Sequence, residues 1–232
     1  MEFHFLTIFP ELFPGVLETG VLGVADRKEV ASYNVINLRD FTSDPHRTVD
    51  DYPYGGGPGM VMMAPPVVEA VESVRPENEK DEVPVIMLSP AGKILRQSDA
   101  RRLAGMKKII FICGRYKGVD ERVEQMVVTE MISVGDYIVS GGELPALIVA
   151  DAIVRHLPGV LGDDRSRETD SFDVERESSL DAAYYTRPPE YRGVGVPEVL
   201  VSGNHAKIEE WRKESGLERT ARFRPDLDES SN

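Results

Sequence analysis

Short apolar runs alternate with amphipathic stretches along the first two thirds of the chain. The apolar runs are typical of buried strands, and they predict strands at residues 3–8, 35–38, 83–88, 109–112 and 129–132. The amphipathic patterns predict helices at residues 63–74, 98–104, 119–127 and 144–157. This alternation of strands and helices predicts an α/β fold with a mainly parallel, buried sheet.

The last third of the chain has a different composition. Residues 162–179 contain seven acidic and three basic residues with few apolar ones, which is typical of a mobile linker. Beyond this stretch, Asn204 is placed to cap a helix that Gly216 would end, and Trp211 is interpreted as a core anchor of that helix. We therefore predict an α/β domain at 1–161, a flexible linker at 162–179 and a small helical domain at 180–232.

Two glycine-rich runs follow predicted strands and are the first indication of a binding site. Residues 113–122 read Cys-Gly-Arg-Tyr-Lys-Gly-Val-Asp-Glu-Arg, and residues 133–145 read Ser-Val-Gly-Asp-Tyr-Ile-Val-Ser-Gly-Gly-Glu-Leu-Pro. Glycine lets the backbone approach a ligand closely, but neither run is a dinucleotide fingerprint or a Walker loop. The runs therefore favour a flat, neutral ligand group such as an adenine ring. The alternative, two ordinary turns, stays open at this point.

Composition narrows the class of protein. The 232 residues are 41% hydrophobic and 29% charged, with a single cysteine and no apolar run that approaches the ~20 residues needed to span a bilayer. These features predict a cytoplasmic globular protein without a disulfide framework. The net charge of −13 argues mildly against a nucleic-acid substrate. Local basic clusters at residues 93–108 and 207–224 can still contact phosphates, although such clusters are often only solvated faces.

Both glycine runs resemble the cofactor loops of the bacterial tRNA (guanine-N1-)-methyltransferases, the TrmD family of knotted (SPOUT) methyltransferases. Further motifs occur in family order over nearly the whole chain: Phe-Pro-Glu-Leu-Phe at 9–13, His-Arg-Thr-Val-Asp-Asp at 46–51, Pro-Tyr-Gly-Gly-Gly-Pro-Gly-Met at 53–60, Leu-Ser-Pro at 88–90, Pro-Gly-Val-Leu-Gly at 158–162, Asp-Ser-Phe at 170–172, Tyr-Thr-Arg-Pro at 185–188 and Ser-Gly-Asn-His-Ala at 202–206. One such motif is weak evidence, whereas this ordered set is highly specific.

The resemblance implies a deep trefoil knot that holds S-adenosyl-L-methionine as methyl donor. It also implies tRNA as substrate and a homodimer with its active site at the subunit interface. The residues that it places around the donor are Leu88, Ser89, Pro90, Gly114, Tyr116, Ser133, Val134, Gly135, Asp136, Tyr137, Ile138, Val139, Gly141, Gly142 and Pro145. Magnesium is compatible with this chemistry, but no residue pattern predicts a metal site.

Methylation of guanine at N1 requires two further groups, because N1 carries a proton at neutral pH. A carboxylate can remove that proton, and a cation near the carbonyl oxygen can stabilise the developing negative charge. The resemblance assigns these roles to Asp170 and Arg155, contributed by opposite subunits. It places Ser171 and Asp181 near the target nucleotide, the guanosine immediately 3′ of the anticodon. Asp50 and Tyr54, beside the glycine loop at 55–59, are also candidate substrate contacts, and a purely structural turn is the alternative for this loop.

Three positions depart from the family pattern. Lys117 stands where glutamate is usual, Met87 where tyrosine is usual and Tyr52 where arginine is usual. None of them removes the expected base, the arginine or the second glycine run. Two alternatives remain: a knotted methyltransferase with another RNA target, and a non-catalytic RNA-binding protein. A nucleotide-phosphate enzyme is remote, because the 55–59 loop lacks the lysine and hydroxyl of a phosphate-binding loop.

Overall fold

The computed structural model describes residues 1–162, 170–172 and 179–227. Its centre is a five-stranded parallel sheet in the order β2-β1-β6-β5-β7. The strands are β1 (Glu2–Thr7), β2 (Ser32–Asn37), β5 (Val85–Ile94), β6 (Lys108–Ile112) and β7 (Glu130–Ser133). A short antiparallel pair is formed by β3 (Asp50–Asp51) and β4 (Val61–Met62). The predicted α/β fold with a mainly parallel sheet is confirmed, whereas the trefoil knot stays a prediction.

Helices cover both faces of the sheet. Their bounds are α1 (Pro14–Leu17), α2 (Gly20–Arg27), α3 (Ala64–Val74), α4 (Gln97–Ala104), α5 (Glu121–Val127) and α6 (Glu143–Val154). Residues from α1, α2, α4 and α6 join one core cluster, and residues from α3 and α5 join the other. Successive side chains of a strand point to opposite faces, so Ile109 and Phe111 enter the first cluster while Ile110 and Ile112 enter the second. Burial on both faces explains why these strands are continuous apolar runs.

Two predicted helix bounds were wrong. Helix α5 begins at Glu121 rather than at Val119, because the Asp120 side chain caps it by accepting a hydrogen bond from the Arg122 backbone nitrogen at 2.9 Å. Val119 instead forms an isolated parallel bridge with Met62. Helix α6 ends at Val154, three residues before the predicted end at residue 157. The chain forms a tighter turn after the helix, in which the Leu157 nitrogen donates a hydrogen bond to the carbonyl of Val154, three residues earlier, at 3.0 Å.

Strand β5 is longer than the predicted strand at 83–88, and it is irregular. It pairs with β6 up to Met87 and with β7 up to Leu88, and the pairing with β7 then shifts register and resumes at Lys93. Gly92 lies beside β7, just before the pairing resumes, and a Cβ there would be 2.5 Å from the backbone nitrogen of Ile132. Only glycine permits that close backbone approach.

The chain divides into two compact units, Met1–Gly162 and Asp163–Asn232. Much of the predicted linker at 162–179 lies outside the described residues, namely 163–169 and 173–178. The described part of the second unit contains a small hairpin of β8 (Glu190–Tyr191) and β9 (Val194–Gly195), followed by α7 (Glu198–Val201) and α8 (His205–Phe223). None of the described helices is long and apolar enough to cross a membrane.

Helix α8 corrects the predicted role of Gly216. Asn204 does cap this helix, since its side chain accepts from the Lys207 nitrogen at 3.2 Å. The helix does not end at Gly216 but continues to Phe223. Gly216 is buried instead, and a Cβ at this position would lie 2.9 Å from the carbonyl oxygen of Leu180. The glycine therefore allows close packing rather than terminating the helix. Trp211 is only partly buried and packs near the Tyr185 ring.

Candidate active site

A cavity of about 320 Å³ lies where β5, β6 and β7 reach the carboxyl end of the sheet. This edge of a parallel sheet is the usual position of ligand sites in α/β proteins. Three segments form its wall: residues 87–91 from β5, residues 114–124 after β6 and residues 131–145 around and after β7. The cavity lies within the range of volumes that bind small molecules, about 300–1,000 Å³.

The two glycine-rich runs meet directly at this cavity. The Gly142 nitrogen donates a hydrogen bond to the Gly114 carbonyl at 2.8 Å. A Cβ on Gly142 would lie 2.7 Å from the Cα of Cys113, so no larger residue fits without displacing backbone. Gly135 has a φ of 148°, and the Ser133 hydroxyl bonds its nitrogen and its carbonyl. Backbone groups therefore form much of the wall, as expected for a site that holds a flat, neutral group.

A buried ion pair joins the same two runs through side chains. Arg115 Nε lies 2.9 Å from Glu143 Oε2, and the Glu143 side chain is completely buried. The Thr7 hydroxyl donates to the other carboxylate oxygen at 2.8 Å. The Arg115 guanidinium also donates to the Ser140 carbonyl at 3.3 Å and lies 4.5 Å from the centre of the Phe9 ring. This network links β1, the turn after β6 and the start of α6.

Sequence reasoning missed Arg115 and Glu143. A glutamate in the first turn of a helix is ordinary, because it complements the helix dipole at a solvent-exposed end. The only signal was its position between a glycine pair and Leu-Pro. The burial that makes Glu143 important depends on Thr7, which is 136 positions away in the sequence.

Tyr116 connects the cavity to the β3–β4 pair. Its φ of 62° is uncommon for a residue other than glycine. Burial, followed by the charge and hydrogen bond of Asp50, raises the pKa of the Tyr116 hydroxyl. Asp50, a predicted substrate contact, is thus in contact with a residue of the cavity wall. Tyr54, the other predicted contact of this region, is fully exposed.

The predicted donor-binding residues come together in the structure. All of them line the cavity except Asp136, which is exposed. Two of the departures from the family pattern, Met87 and Lys117, also line the cavity. The lining residues that were not predicted are Ala91, Arg115, Gly118, Val119, Glu121, Glu124, Met131, Ile132 and Ser140.

Arg155 is not brought to the cavity of its own chain. It follows the last residue of α6, whereas Pro145 at the start of that helix lines the cavity. At 1.5 Å per residue, the two positions are separated by roughly 15 Å along the helix axis. The Arg155 side chain is partly buried.

Asp170, Ser171 and Asp181 belong to the second unit, and the structure connects two of them. The Ser171 hydroxyl accepts a hydrogen bond from the Asp181 nitrogen at 2.9 Å, and the Tyr184 hydroxyl bonds the Asp181 carboxylate. Asp170 is partly buried and lies two residues before Phe172, which has a φ of 66°. Left-handed backbone at an aromatic residue is uncommon and is frequently a feature of functional turns. Among the described residues, no three His, Cys, Asp or Glu side chains are grouped so that they could hold a metal ion.

Comparison with known proteins gives a consistent result. The family described as tRNA (Guanine-1)-methyltransferase TrmD matches residues 1–230. A tRNA (guanine-N(1)-)-methyltransferase of Bacillus pumilus is 49% identical over 231 residues, which cover 99% of this chain and 93% of that protein. The Bacillus subtilis protein of the same name is 47% identical, with 98% and 92% of the two chains covered. The protein of that name from Moorella thermoacetica is 49% identical and covers 98% and 90%.

Proposed function

Because this chain belongs to the tRNA (guanine-1)-methyltransferase TrmD family, we propose that it methylates N1 of the guanosine immediately 3′ of the anticodon in tRNA. The observation that carries the proposal is the backbone-lined cavity formed by both glycine runs, in a chain that matches the family from residue 1 to 230. We propose S-adenosylmethionine as the methyl donor, and we expect the enzyme to act in the cytoplasm as a homodimer.

The cavity fits such a donor. A nucleoside thioether needs room for its base and polar backbone groups near the ring nitrogens, and residues 133–142 contribute backbone to the cavity wall. The contact between Gly142 and Gly114 keeps the two walls at a fixed separation. When bound, the donor supplies a methyl group that is attached to a positively charged sulfur. After transfer of the methyl group, the sulfur is left as a neutral thioether. The protein then contributes mainly by positioning the two reactants.

Asp170 is proposed as the general base. Its carboxylate would take the proton from N1 of guanine, which leaves the nitrogen lone pair available to the methyl group. The turn at 170–172 and the bond between Ser171 and Asp181 give this segment a defined local structure. Ser171 and Asp181 are proposed to contact the same nucleotide.

Arg155 is proposed to stabilise the negative charge that develops on the guanine carbonyl oxygen, and it would do so in the cavity of the second subunit. Two observations support this arrangement. Arg155 is far along α6 from the cavity of its own chain, and α6 exposes apolar side chains at Leu144 and Ile148. Ile138 and Val139, on the preceding loop, are exposed as well. Exposed apolar side chains on α6 and on the preceding loop favour a partner, and a second copy that covers them would also bring Arg155 to the site.

The test is methylation of an unmodified tRNA transcript by the purified protein with labelled donor, followed by mapping of the labelled base. We expect N1-methylguanosine at the position 3′ of the anticodon. Label at another nucleotide would assign another RNA target, and failure to label where an established family enzyme succeeds would reject the activity.

A substitution tests the base. Asp170→Asn should retain binding of S-adenosylhomocysteine by calorimetry and reduce turnover at least 100-fold, the usual contribution of a general base. Asp81→Asn, an exposed residue of the first unit outside the cavity wall, serves as the matched control and should keep wild-type turnover. Wild-type turnover of Asp170→Asn would reject Asp170 as the base.

A further inference from the structure

The cavity wall contains charged side chains as well as backbone groups. Four charged side chains line it: Arg115, Lys117, Glu121 and Glu124. Arg115 is already paired with Glu143 and is therefore not available to neutralise a ligand. Among the residues that the structure describes, no carboxylate lies within 4 Å of the Lys117 ammonium. Lys117 is the cavity-lining cation that remains for a ligand.

The backbone of Lys117 is held beside the glycine loop. Its nitrogen donates to the carbonyl of Met60 at 2.9 Å, immediately after the glycine loop. The Cβ and Cδ of its side chain lie within 3.9 Å of the point that a Cβ on Gly59 would occupy. The stem therefore passes beside the glycine loop, and the charged end stays hydrated because the residue as a whole is exposed. Such a lysine is suited to bind an anionic group at the cavity mouth.

We infer that Lys117 binds the carboxylate of the amino-acid part of the methyl donor. This inference rests on the proposed function. The amino-acid part of the donor is a zwitterion, and the stretch 117–124 presents a cation together with the two carboxylates of Glu121 and Glu124. Charges of both signs on one side of the cavity match a ligand group with both signs. The backbone-lined side is then left for the neutral purine.

Calorimetry with two ligands tests the contact without depending on turnover. S-adenosylhomocysteine carries the carboxylate, and its decarboxylated analogue, a 3-aminopropylthio adenosine, lacks only that group. Lys117→Met should weaken binding of S-adenosylhomocysteine about tenfold, the effect of one charge-assisted hydrogen bond at a partly hydrated site. Binding of the decarboxylated analogue should change less than about twofold. Lys117→Arg should restore most of the affinity, because it restores the positive charge.

A matched control removes the effect of net charge. Lys107→Met makes the same change at an exposed residue next to the opposite end of β6, and it should leave both affinities unaltered. Equal losses for the two ligands in Lys117→Met would overturn the inference, and so would no loss for either. A variant that binds S-adenosylhomocysteine normally but has a raised KM for tRNA would assign the lysine to an RNA phosphate instead. Absence of binding of both ligands by the wild-type protein would reject the proposed donor itself.

Discussion

Removal of the buried pair between Arg115 and Glu143 should destabilise the first unit strongly. In Arg115→Met, the Glu143 carboxylate keeps only the Thr7 hydroxyl as a partner although it has no solvent exposure. In Glu143→Leu, the guanidinium keeps the Ser140 carbonyl and the Phe9 ring, and its side chain is 18% exposed. Breaking one side of a buried ion pair costs about 3–5 kcal/mol. Because domains are stable by about 5–15 kcal/mol, either loss is a large fraction of the total.

The double variant distinguishes a buried charge from simple loss of packing. When both charges are replaced by apolar groups, no charge is left unpaired, and the net cost should fall to about 1–2 kcal/mol. Arg115→Met should be the more harmful single change, since it leaves the more deeply buried partner behind. The two single costs then sum to more than the double cost, by roughly 4 kcal/mol or more.

Urea denaturation followed by far-UV circular dichroism measures these free energies. The single tryptophan, Trp211, lies in the second unit, whereas far-UV circular dichroism reports on the helices and strands of the first unit as well. Arg212→Met is a matched control: Arg212 pairs with Glu209 at 2.7 Å, but the two side chains are 45% and 60% exposed. That change should cost less than about 1 kcal/mol. Costs that simply add in the Arg115→Met/Glu143→Leu variant would refute the reasoning.

Two further predictions concern His4 and Gly216. Burial lowers the pKa of His4 below its usual 6.5, and Nδ1 has no hydrogen-bond partner among the described residues, so the unfolded chain binds the proton more readily. The free energy of unfolding should therefore fall as the pH drops below about 6.5. In urea titrations, His4→Leu should lose less stability than the wild type between pH 7.5 and 5.5. An equal loss in the two proteins would contradict this role of His4. Gly216→Ala should destabilise the second unit by about 1–2 kcal/mol despite the better helix propensity of alanine, because the new Cβ meets the Leu180 carbonyl. Thermal melting followed by Trp211 fluorescence measures this change. As a control, Lys213→Ala at an exposed position should change the stability by less than about 0.5 kcal/mol. A raised melting temperature of Gly216→Ala would exclude the clash.

The sheet was predictable because its strands are buried on both faces and therefore consist of continuous apolar runs. The continuation of β5 through residues 89–94 was not, since Ser-Pro-Ala-Gly-Lys is polar and glycine-containing and has the composition of a loop. Its strand geometry comes from backbone pairing with β7, which no local pattern records. Gly216 was misinterpreted for a similar reason, because a glycine that ends a helix and one that allows close packing look alike in a sequence.

Much of the candidate site was recognisable from the two glycine runs, since their spacing after strands is local information. The partners of Glu143 and Tyr116 were not, because Thr7 and Asp50 are distant in the chain. Placement of Arg155 far from the cavity of its own chain could not come from spacing alone either. Family resemblance suggested a second subunit, and the exposed apolar face of α6 supplies a physical reason for one.

The backbone contact between Gly142 and Gly114 limits how this protein can diversify. Because the backbones at Gly114 and Gly142 are in direct contact, neither segment can be lengthened or take a bulkier residue there without moving the two apart. A change in what this site accepts would then have to come from side chains at the cavity mouth. Residue 117 is one such position, at which a single codon change reverses a charge while the surrounding architecture is left intact.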